Sequence, residues 1–211
     1  MKIITNMFIN KLNTDHVDTL KKYLYTYENT SLFMLSNLNA AGINYQDKIY
    51  HGEYLGSFSD QNNINGVLVH YWNGNITIQA ENNDILARLL EEFRSHINRP
   101  IAGVFGEDKQ ALYVIENLLS SDTKFAVNGQ EQLYNIDLTN FTNSKKSNDL
   151  DYHIEQAKNI DKAILYKWLK DYDIETLGSD DTPKLIEHVN KKIEQVQNQK
   201  YSYVLLANTL P

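Results

Sequence analysis

The chain has no cysteine among its 211 residues, which excludes disulfide bonds, thiolate metal sites and a cysteine nucleophile. No stretch approaches the roughly 18 to 20 consecutive apolar residues of a membrane-spanning helix. The amino-terminal segment MKIITNMFINKL lacks the continuous apolar core and the small-residue cleavage site of a signal peptide. These absences predict a cytoplasmic protein with no membrane partner.

Positive charge is also sparse. The chain carries 20 Lys and Arg residues against 27 Asp and Glu residues, a net charge of −7, and no basic cluster is longer than a pair. A nucleic-acid-binding surface needs clustered positive charge, so we expect no nucleic-acid partner. None of the six histidines has another histidine four residues away, and H-E-x-x-H does not occur, so we predict no metal site. The absence of G-x-S-x-G likewise leaves a serine hydrolase without support.

The spacing of apolar residues predicts mixed helices and strands in the first two thirds of the chain. Thr30 or Ser31 is the expected cap of the second helix, and Gly42 is its expected end. Asn73-Gly74 is the strongest two-residue hairpin signal and joins two predicted strands. In chain order we predict helices 15–27 and 31–41, strands 53–59, 64–72 and 75–80, helix 84–98, strand 101–106, helix 108–119 and strand 131–138.

A polar segment of mixed charge, TNSKKSND, then marks a linker. After it we predict strand 152–157, a helix from 161 to 171 or beyond, helix 182–197 and strand 201–207; Thr182-Pro183 is a favourable start for the last helix. The expected organisation is therefore a first domain at 1–143, a linker at 144–150 and a second domain at 151–211. The expected fold class is α/β, or α+β with mixed sheets.

Three segments resemble a known family. KWLKDYDIETLGSDDTP (Lys167–Pro183) resembles the end of the first helix and the start of the second in a bacterial two-domain subgroup of the GNAT N-acetyltransferases. FMLSNLNAAGINYQ (Phe33–Gln46) and GVLVHYWNGNITIQA (Gly66–Ala80) resemble the N-terminal domain of that subgroup, which is itself often GNAT-like but degenerate. The resemblance implies a GNAT-like N-terminal domain followed by the first β-α-α-β half of a catalytic GNAT domain.

The resemblance also implies a reaction, which is acetyl-CoA-dependent acyl transfer to a small-molecule or peptide amine. In the family, the β-α-α-β half continues into a hairpin partner and then a long strand that ends in an R/Q-x-x-G-x-G/A loop before a helix. The N–H groups of that loop hold the pyrophosphate of acetyl-CoA. Here the sequence stops at NTLP, before these elements, so the resemblance predicts a truncated chain that is inactive alone.

A substitute phosphate loop has one candidate, GVFGEDKQ, in which Gly103 and Gly106 precede a predicted helix. Its G-x-x-G spacing differs from the family loop. Glu107 and Asp108 would lie in the first helical turn and repel a pyrophosphate that competes for the same N–H groups. The alternative interpretation is an ordinary strand–helix turn with an acidic cap.

Acidic residues precede the last predicted helix. Two acids in that place usually cap the helix and complement its dipole. The family resemblance offers a second interpretation, because the loop between the first two GNAT helices borders the acceptor site and an acidic lip would attract a cationic amine. On this interpretation the substrate-binding residues are Glu175, Asp180, Asp181 and Tyr172.

His70 lies in VLVHYW, where it alternates with Leu68 and Trp72 on one strand face. A buried strand histidine is one interpretation. The other is a general base that lines a pocket with Tyr71 or Trp72.

A non-catalytic function is the alternative to acyl transfer. The last strand would leave a free edge, which another chain could complete by strand addition or in a swapped dimer. This hypothesis predicts an interaction module that forms a homodimer or pairs with a separate C-terminal half.

Overall fold

The computed structural model describes residues 8–59, 63–130, 132–134, 136, 139, 152–199 and 201–207. The chain divides into two compact units, Met1–Asp137 and Leu138–Pro211. Helices and strands alternate in both, so the protein is a mixed α/β protein, as the sequence predicts. The predicted linker at 144–150 and the last four residues lie outside the described part.

In the described part of the first unit, a five-stranded sheet is accompanied by four α-helices. The elements are β1 (Phe8–Lys11), α1 (Val17–Thr26), α2 (Glu28–Ala41), β2 (Gly52–Phe58), β3 (Ile64–Tyr71), β4 (Asn75–Ala80), α3 (Asn83–His96), β5 (Gly103–Gly106) and α4 (Asp108–Leu118). The strands lie in the order β1-β2-β3-β4-β5. The first four strands are antiparallel neighbours, and β5 is parallel to β4.

The predicted hairpin is confirmed. Asn73-Gly74 joins β3 to β4, and their register pairs His70 with Ile76 and Gly66 with Ala80. Gly74 has φ 81°, a conformation that glycine adopts without steric cost. The turn therefore fixes which side chains of β3 and β4 face each side of the sheet.

Apolar side chains cover both faces of this sheet. On one face, Leu20 and Leu24 of α1 and Met34 and Leu38 of α2 belong to a core that includes Tyr54 and Tyr71. On the other face, a second core includes residues of α3, α4, β3 and β4: Leu68, Ile76, Ile78, Ile85, Leu86, Leu89, Leu90, Phe93 and Val114. Every residue of β3 is buried because helices pack on both sides of it.

The start of α2 differs from the prediction. The helix begins at Glu28, separated from the end of α1 only by Tyr27, and neither Thr30 nor Ser31 is its cap. The reason is tertiary: both hydroxyls point towards the buried Gln79 of β4, and Thr30 Oγ1 donates to Gln79 Oε1 over 2.7 Å. The predicted end at Gly42 is confirmed, since Gly42 is the C-cap residue with φ 72°.

The second unit is small. It consists of β6 (Tyr152–Gln156), α5 (Lys162–Glu175), α6 (Pro183–Asn198) and β7 (Tyr203–Ala207). The two strands pair antiparallel, with Ile154 opposite Leu205. One core joins both helices to β7: Ile160, Leu165, Leu185, Val189, Ile193 and Leu206. Thr182 caps α6 through the Leu185 N–H with Pro183 in the first turn, which confirms the predicted start.

The sequence misses one strand, and one predicted strand is wrong. Phe8–Lys11, for which the sequence predicts no element, forms β1 along β2. The predicted strand at 131–138 is wrong for 132–134 and 136, which are irregular, and 131, 135, 137 and 138 lie outside the described residues. Leu133, Tyr134 and Ile136 expose more than half of their surface, so their alternation does not mark a buried face.

Candidate functional site

The end of α5 and the connection to α6 carry the predicted acidic residues. Glu175 is the last residue of α5, Asp180 and Asp181 lie in the connection, and all three are exposed. Asp181 Oδ2 accepts a hydrogen bond from Lys170 Nζ over 2.8 Å, which ties this residue back to α5. Tyr172 is about half exposed, and its ring centroid lies 6.0 Å from Lys192 Nζ. The four residues therefore share one end of the second unit. The ion pair that Asp181 forms there is with Lys170 of the same unit, so this carboxylate is already neutralised within the protein.

Sequence reasoning missed a fifth residue, Asp173, which has a relative exposure of 1%. Its Oδ1 accepts from Lys192 Nζ over 2.7 Å, and its backbone oxygen accepts from the Ser179 N–H over 3.0 Å. Its Oδ2 is buried without a hydrogen-bond partner, and His188 Nε2 lies 3.7 Å away. A signal was present in the sequence, because Leu165, Leu169 and Asp173 follow each other at four-residue spacing on one face of α5.

In the turn between β5 and α4, a side chain of the turn itself caps the helix. Glu107 caps α4, and its side chain accepts from the Gln110 N–H over 3.0 Å. A Cβ atom at Gly103 would lie 2.7 Å from Asn75 Oδ1 on the neighbouring strand, so close packing explains this glycine. Gly103 and Gly106 thus lie at the two ends of β5, and the acidic cap occupies the N–H group that an anion would need.

In the turn between β4 and α3, a side chain of the turn likewise caps the following helix. Asn82 caps α3 by accepting from the Ile85 N–H over 3.1 Å, and Gln110 Oε1 accepts from the Ala80 N–H over 2.8 Å. Glu81 and Asp84 flank the cap and are exposed. Their charges favour the positive end of the helix dipole and oppose a bound anion.

His70, Tyr71 and Trp72 do not meet around one cavity. His70 faces α3, where its ring packs edge-to-face on Phe93 at 5.5 Å and its Nε2 lies 3.2 Å from the oxygen of Pro100. Tyr71 packs into the core under α1 and α2, and Trp72 packs against that same core. Burial, followed by the charge of Arg99, lowers the pKa of His70, which favours a neutral imidazole.

A groove of about 440 Å³ runs beside His70 between α3 and the edge strand β1. Four of its ionisable side chains form two pairs, and the His70 ring lies against a backbone oxygen. Lys11 Nζ lies 2.8 Å from Glu53 Oε1, and His96 Nδ1 lies 3.3 Å from Glu92 Oε1. The groove therefore offers no unpaired charge that would select a ligand.

Arg99 contacts two strands of the first unit through its guanidinium. Its guanidinium donates to the backbone oxygens of Tyr71 over 2.8 Å and His70 over 2.9 Å, and to Glu53 Oε2 over 3.2 Å. It also lies 4.5 Å from the ring centroid of Tyr45. Burial alone would raise the pKa of Glu53, but hydrogen bonds and charges from Lys11 and Arg99 outweigh burial and lower it. These contacts hold β3 to the segment before β5 and serve the fold.

The described residues contain neither a metal-binding cluster nor a membrane-spanning helix. No group of three or more His, Asp or Glu side chains there could hold a metal ion. None of the helices in the described ranges has the length and apolar character needed to cross a membrane. No family model, curated protein or solved structure matches the chain.

Proposed function

We propose that the protein belongs to the GNAT acyltransferases, whose reaction is acyl transfer from acetyl-CoA to an amine. The observation that carries the proposal is the element order of the first unit. It runs strand, two helices, strand, hairpin partner, strand and helix, from β1 to α3. This is the order that the family resemblance assigns to a GNAT domain up to the helix after its cofactor loop.

The second unit adds support by repeating the first half of that order. Its β6-α5-α6-β7 sequence parallels β1-α1-α2-β2, and in both units the two strands are antiparallel neighbours. A 3-10 turn follows the first strand in each unit, at Thr14–His16 and at Ala157–Asn159. Two strands that flank a pair of helices are common in α/β folds, but the shared 3-10 turn makes the similarity between the two units more specific.

The residues of the first unit do not fit acetyl-CoA. In the proposed alignment the loop R/Q-x-x-G-x-G/A falls on Gln79–Asp84, between β4 and α3. Gln79 keeps the first position, but Asn82 and Asp84 stand where the family has small residues. The Asn82 side chain accepts a hydrogen bond from the Ile85 N–H, and the Gln79 side chain accepts one from the hydroxyl of Thr30 in α2. We therefore assign the first unit no cofactor and propose that it has a supporting, non-catalytic role.

Restoring the family pattern tests this proposal. We expect the double variant Asn82→Gly/Asp84→Gly to gain acetyl-CoA binding, because it frees the helix N–H groups and removes one negative charge. Glycine replaces an asparagine cap at a cost of only a few tenths of a kcal/mol, so the variant should fold. The measurement is amide chemical shift change by NMR at millimolar acetyl-CoA, followed at residues 81–86.

The wild-type chain and Asn82→Gly/Asp84→Lys are the controls. The wild type should show no shift at this turn. The lysine variant separates charge from loop geometry, because it attracts any polyanion without restoring the second small residue. A folded glycine variant without acetyl-CoA-dependent shifts would contradict the proposed alignment and, with it, the family assignment.

A binding module is the second candidate function, and the second unit carries the observation that favours it. Ile154, Tyr203 and Leu205 alternate on the sheet face opposite the helices and are 69%, 55% and 60% exposed. Three large apolar side chains on a two-stranded sheet form an open face of the kind that mediates association. The strand β7 also has no second neighbour among the described strands. We propose pairing through β7 as the activity of such a module.

Charge substitution on this face tests the second candidate. We expect the wild-type chain to self-associate at high concentration and Leu205→Lys to abolish this, because a lysine at the centre of an apolar contact lacks a partner. Sedimentation velocity over a hundredfold range of concentration measures the effect. Leu177→Lys is the matched control, since Leu177 is 58% exposed in the same unit but lies in the α5–α6 connection. Equal association of all three proteins would contradict the module.

A further inference from the structure

The interface between α5 and α6 contains an incomplete polar cluster. Asp173 extends from the last turn of α5 towards α6, where Lys192 bonds one of its carboxylate oxygens. His188 lies one helical turn before Lys192, and its Nε2 is 3.7 Å from the other oxygen, Oδ2. This distance is longer than a hydrogen bond, so Asp173 Oδ2 has no donor among the described residues.

The two members of this cluster differ sharply in exposure. The side chain of Asp173 is 2% exposed, whereas that of His188 is 59% exposed. A buried carboxylate oxygen strongly favours a donor, and the imidazole is the group placed to supply one. When one imidazole nitrogen carries a proton towards a carboxylate, the other is left as an acceptor. His188 Nδ1 has no hydrogen-bond partner in the described part of the chain.

We propose that Asp173 and His188 form a proton-accepting pair for a primary amine substrate. Asp173 is the positioning residue: when the exposed His188 side chain closes the 3.7 Å gap to hydrogen-bond distance, Oδ2 accepts from Nε2–H and fixes that tautomer. His188 Nδ1 then takes a proton from the substrate ammonium group. An N–H bond of the ammonium breaks, an N–H bond forms at Nδ1, and the amine keeps the electron pair. The positive charge moves to an imidazolium beside the Asp173 carboxylate.

The surroundings suit a cationic substrate. The Ser179 N–H bonds the backbone oxygen of Asp173, which anchors the acidic α5–α6 connection next to the pair. Asp180 is exposed on that connection, and Glu175 is exposed at the end of α5. Lys192 is the opposing charge, but its ammonium is bound to Asp173 Oδ1. The inference rests on the proposed acyl transfer to an amine, because that reaction needs a deprotonated acceptor.

NMR of the whole chain labelled with ¹⁵N-histidine tests the pair without any cofactor. For the wild type we expect the population of the Nε2–H tautomer of His188 to exceed that of the Nδ1–H tautomer by about tenfold, which is the ratio that one hydrogen bond of ordinary strength produces. Asp173→Asn should reduce this excess severalfold. Asp171→Asn is the matched control, because Asp171 lies on the same helix but pairs with Lys167 on its surface. A wild-type mixture of tautomers, or an unchanged ratio in a folded Asp173→Asn, overturns the proposal.

Titration with two amine salts completes the test and needs no variant. Butylammonium chloride should shift the His188 Nδ1 resonance to saturation, whereas tetramethylammonium chloride, which has no N–H to donate, should not. Equal responses to the two salts, or no response to either, would overturn the proton-accepting role. Neither measurement uses acetyl-CoA, so failure of the Asn82→Gly/Asp84→Gly test would leave these results standing, and the two proposals can fail separately.

Discussion

Arg99→Met is expected to lower the free energy of unfolding of the first unit by about 2 to 4 kcal/mol. The substitution removes three hydrogen bonds from a guanidinium whose side chain is 22% exposed; the oxygens of His70 and Tyr71 lose this donor, and the Tyr71 oxygen keeps the Gly74 N–H. Methionine keeps much of the apolar volume, so the loss reports the polar contacts. Urea denaturation followed by Trp72 fluorescence measures it in a Trp168→Phe background, because each unit has one tryptophan.

Lys11→Met provides the matched control, since Lys11 bonds the same carboxylate, Glu53, from a side chain that is 68% exposed. Exposed ion pairs contribute at most about 1 kcal/mol, so this variant should lose far less. A loss in Lys11→Met as large as that in Arg99→Met would contradict the buried role of Arg99. Two near-neutral variants would show that the network adds nothing to stability.

The pH dependence gives a second readout of the same network. The pKa of Glu53 is lowered from the ordinary value of 4.5 in the folded unit. Its ionic contacts therefore contribute stability above that value, and the contribution is lost as pH falls through the lower folded pKa. Arg99→Met removes one cause of the lowering, so its stability should fall less steeply below pH 4.5 than that of the wild type.

Local chemistry explains which parts of the fold the sequence predicts. The Asn73-Gly74 turn, the Gly42 helix end and the Thr182-Pro183 helix start each depend on one or two residues and their immediate backbone, and all three are confirmed. By contrast, the start of α2 depends on Gln79, a residue of β4 some fifty positions later. Helix caps are predictable when the hydroxyl serves its own helix and are lost when tertiary contacts recruit it.

The candidate site residues also divide into those that the local sequence reveals and those that only tertiary packing brings together. The exposed acids Glu175, Asp180 and Asp181 are conspicuous in the sequence because they cluster in a turn. Asp173, which lies between the two helices with an unsatisfied oxygen, is separated from its neighbours His188 and Lys192 by 15 and 19 positions. Only the packing of α5 on α6 brings them together. A carboxylate that continues an apolar stripe is the one local sign of such a residue.

Gly74→Ala is expected to destabilise the first unit by about 2 to 4 kcal/mol, through two separate effects. At φ 81° an L-residue loses roughly 1 to 2 kcal/mol relative to glycine. A Cβ atom here would also lie 2.9 Å from the oxygen of Pro100 and 3.1 Å from the N atom of Ala102. These are backbone atoms, and Ala102 N donates to Gly74 O over 2.8 Å, so the contact cannot relax by a rotamer change.

Gly42→Ala separates the two effects. Gly42 combines φ 72° with ψ −173°, a conformation that costs residues other than glycine about 1 to 3 kcal/mol, but a Cβ atom there would meet nothing within 4 Å, so Gly42→Ala carries the backbone penalty alone. Urea denaturation of both variants, read by Trp72, should therefore place Gly74→Ala well below Gly42→Ala. Equal losses would mean that the approach of the β5 segment to the hairpin is looser than 2.9 Å implies. A larger loss of unfolding free energy at Gly74 would show that this turn has two roles. It reverses the chain between β3 and β4, and it positions the segment that leads into the parallel strand β5.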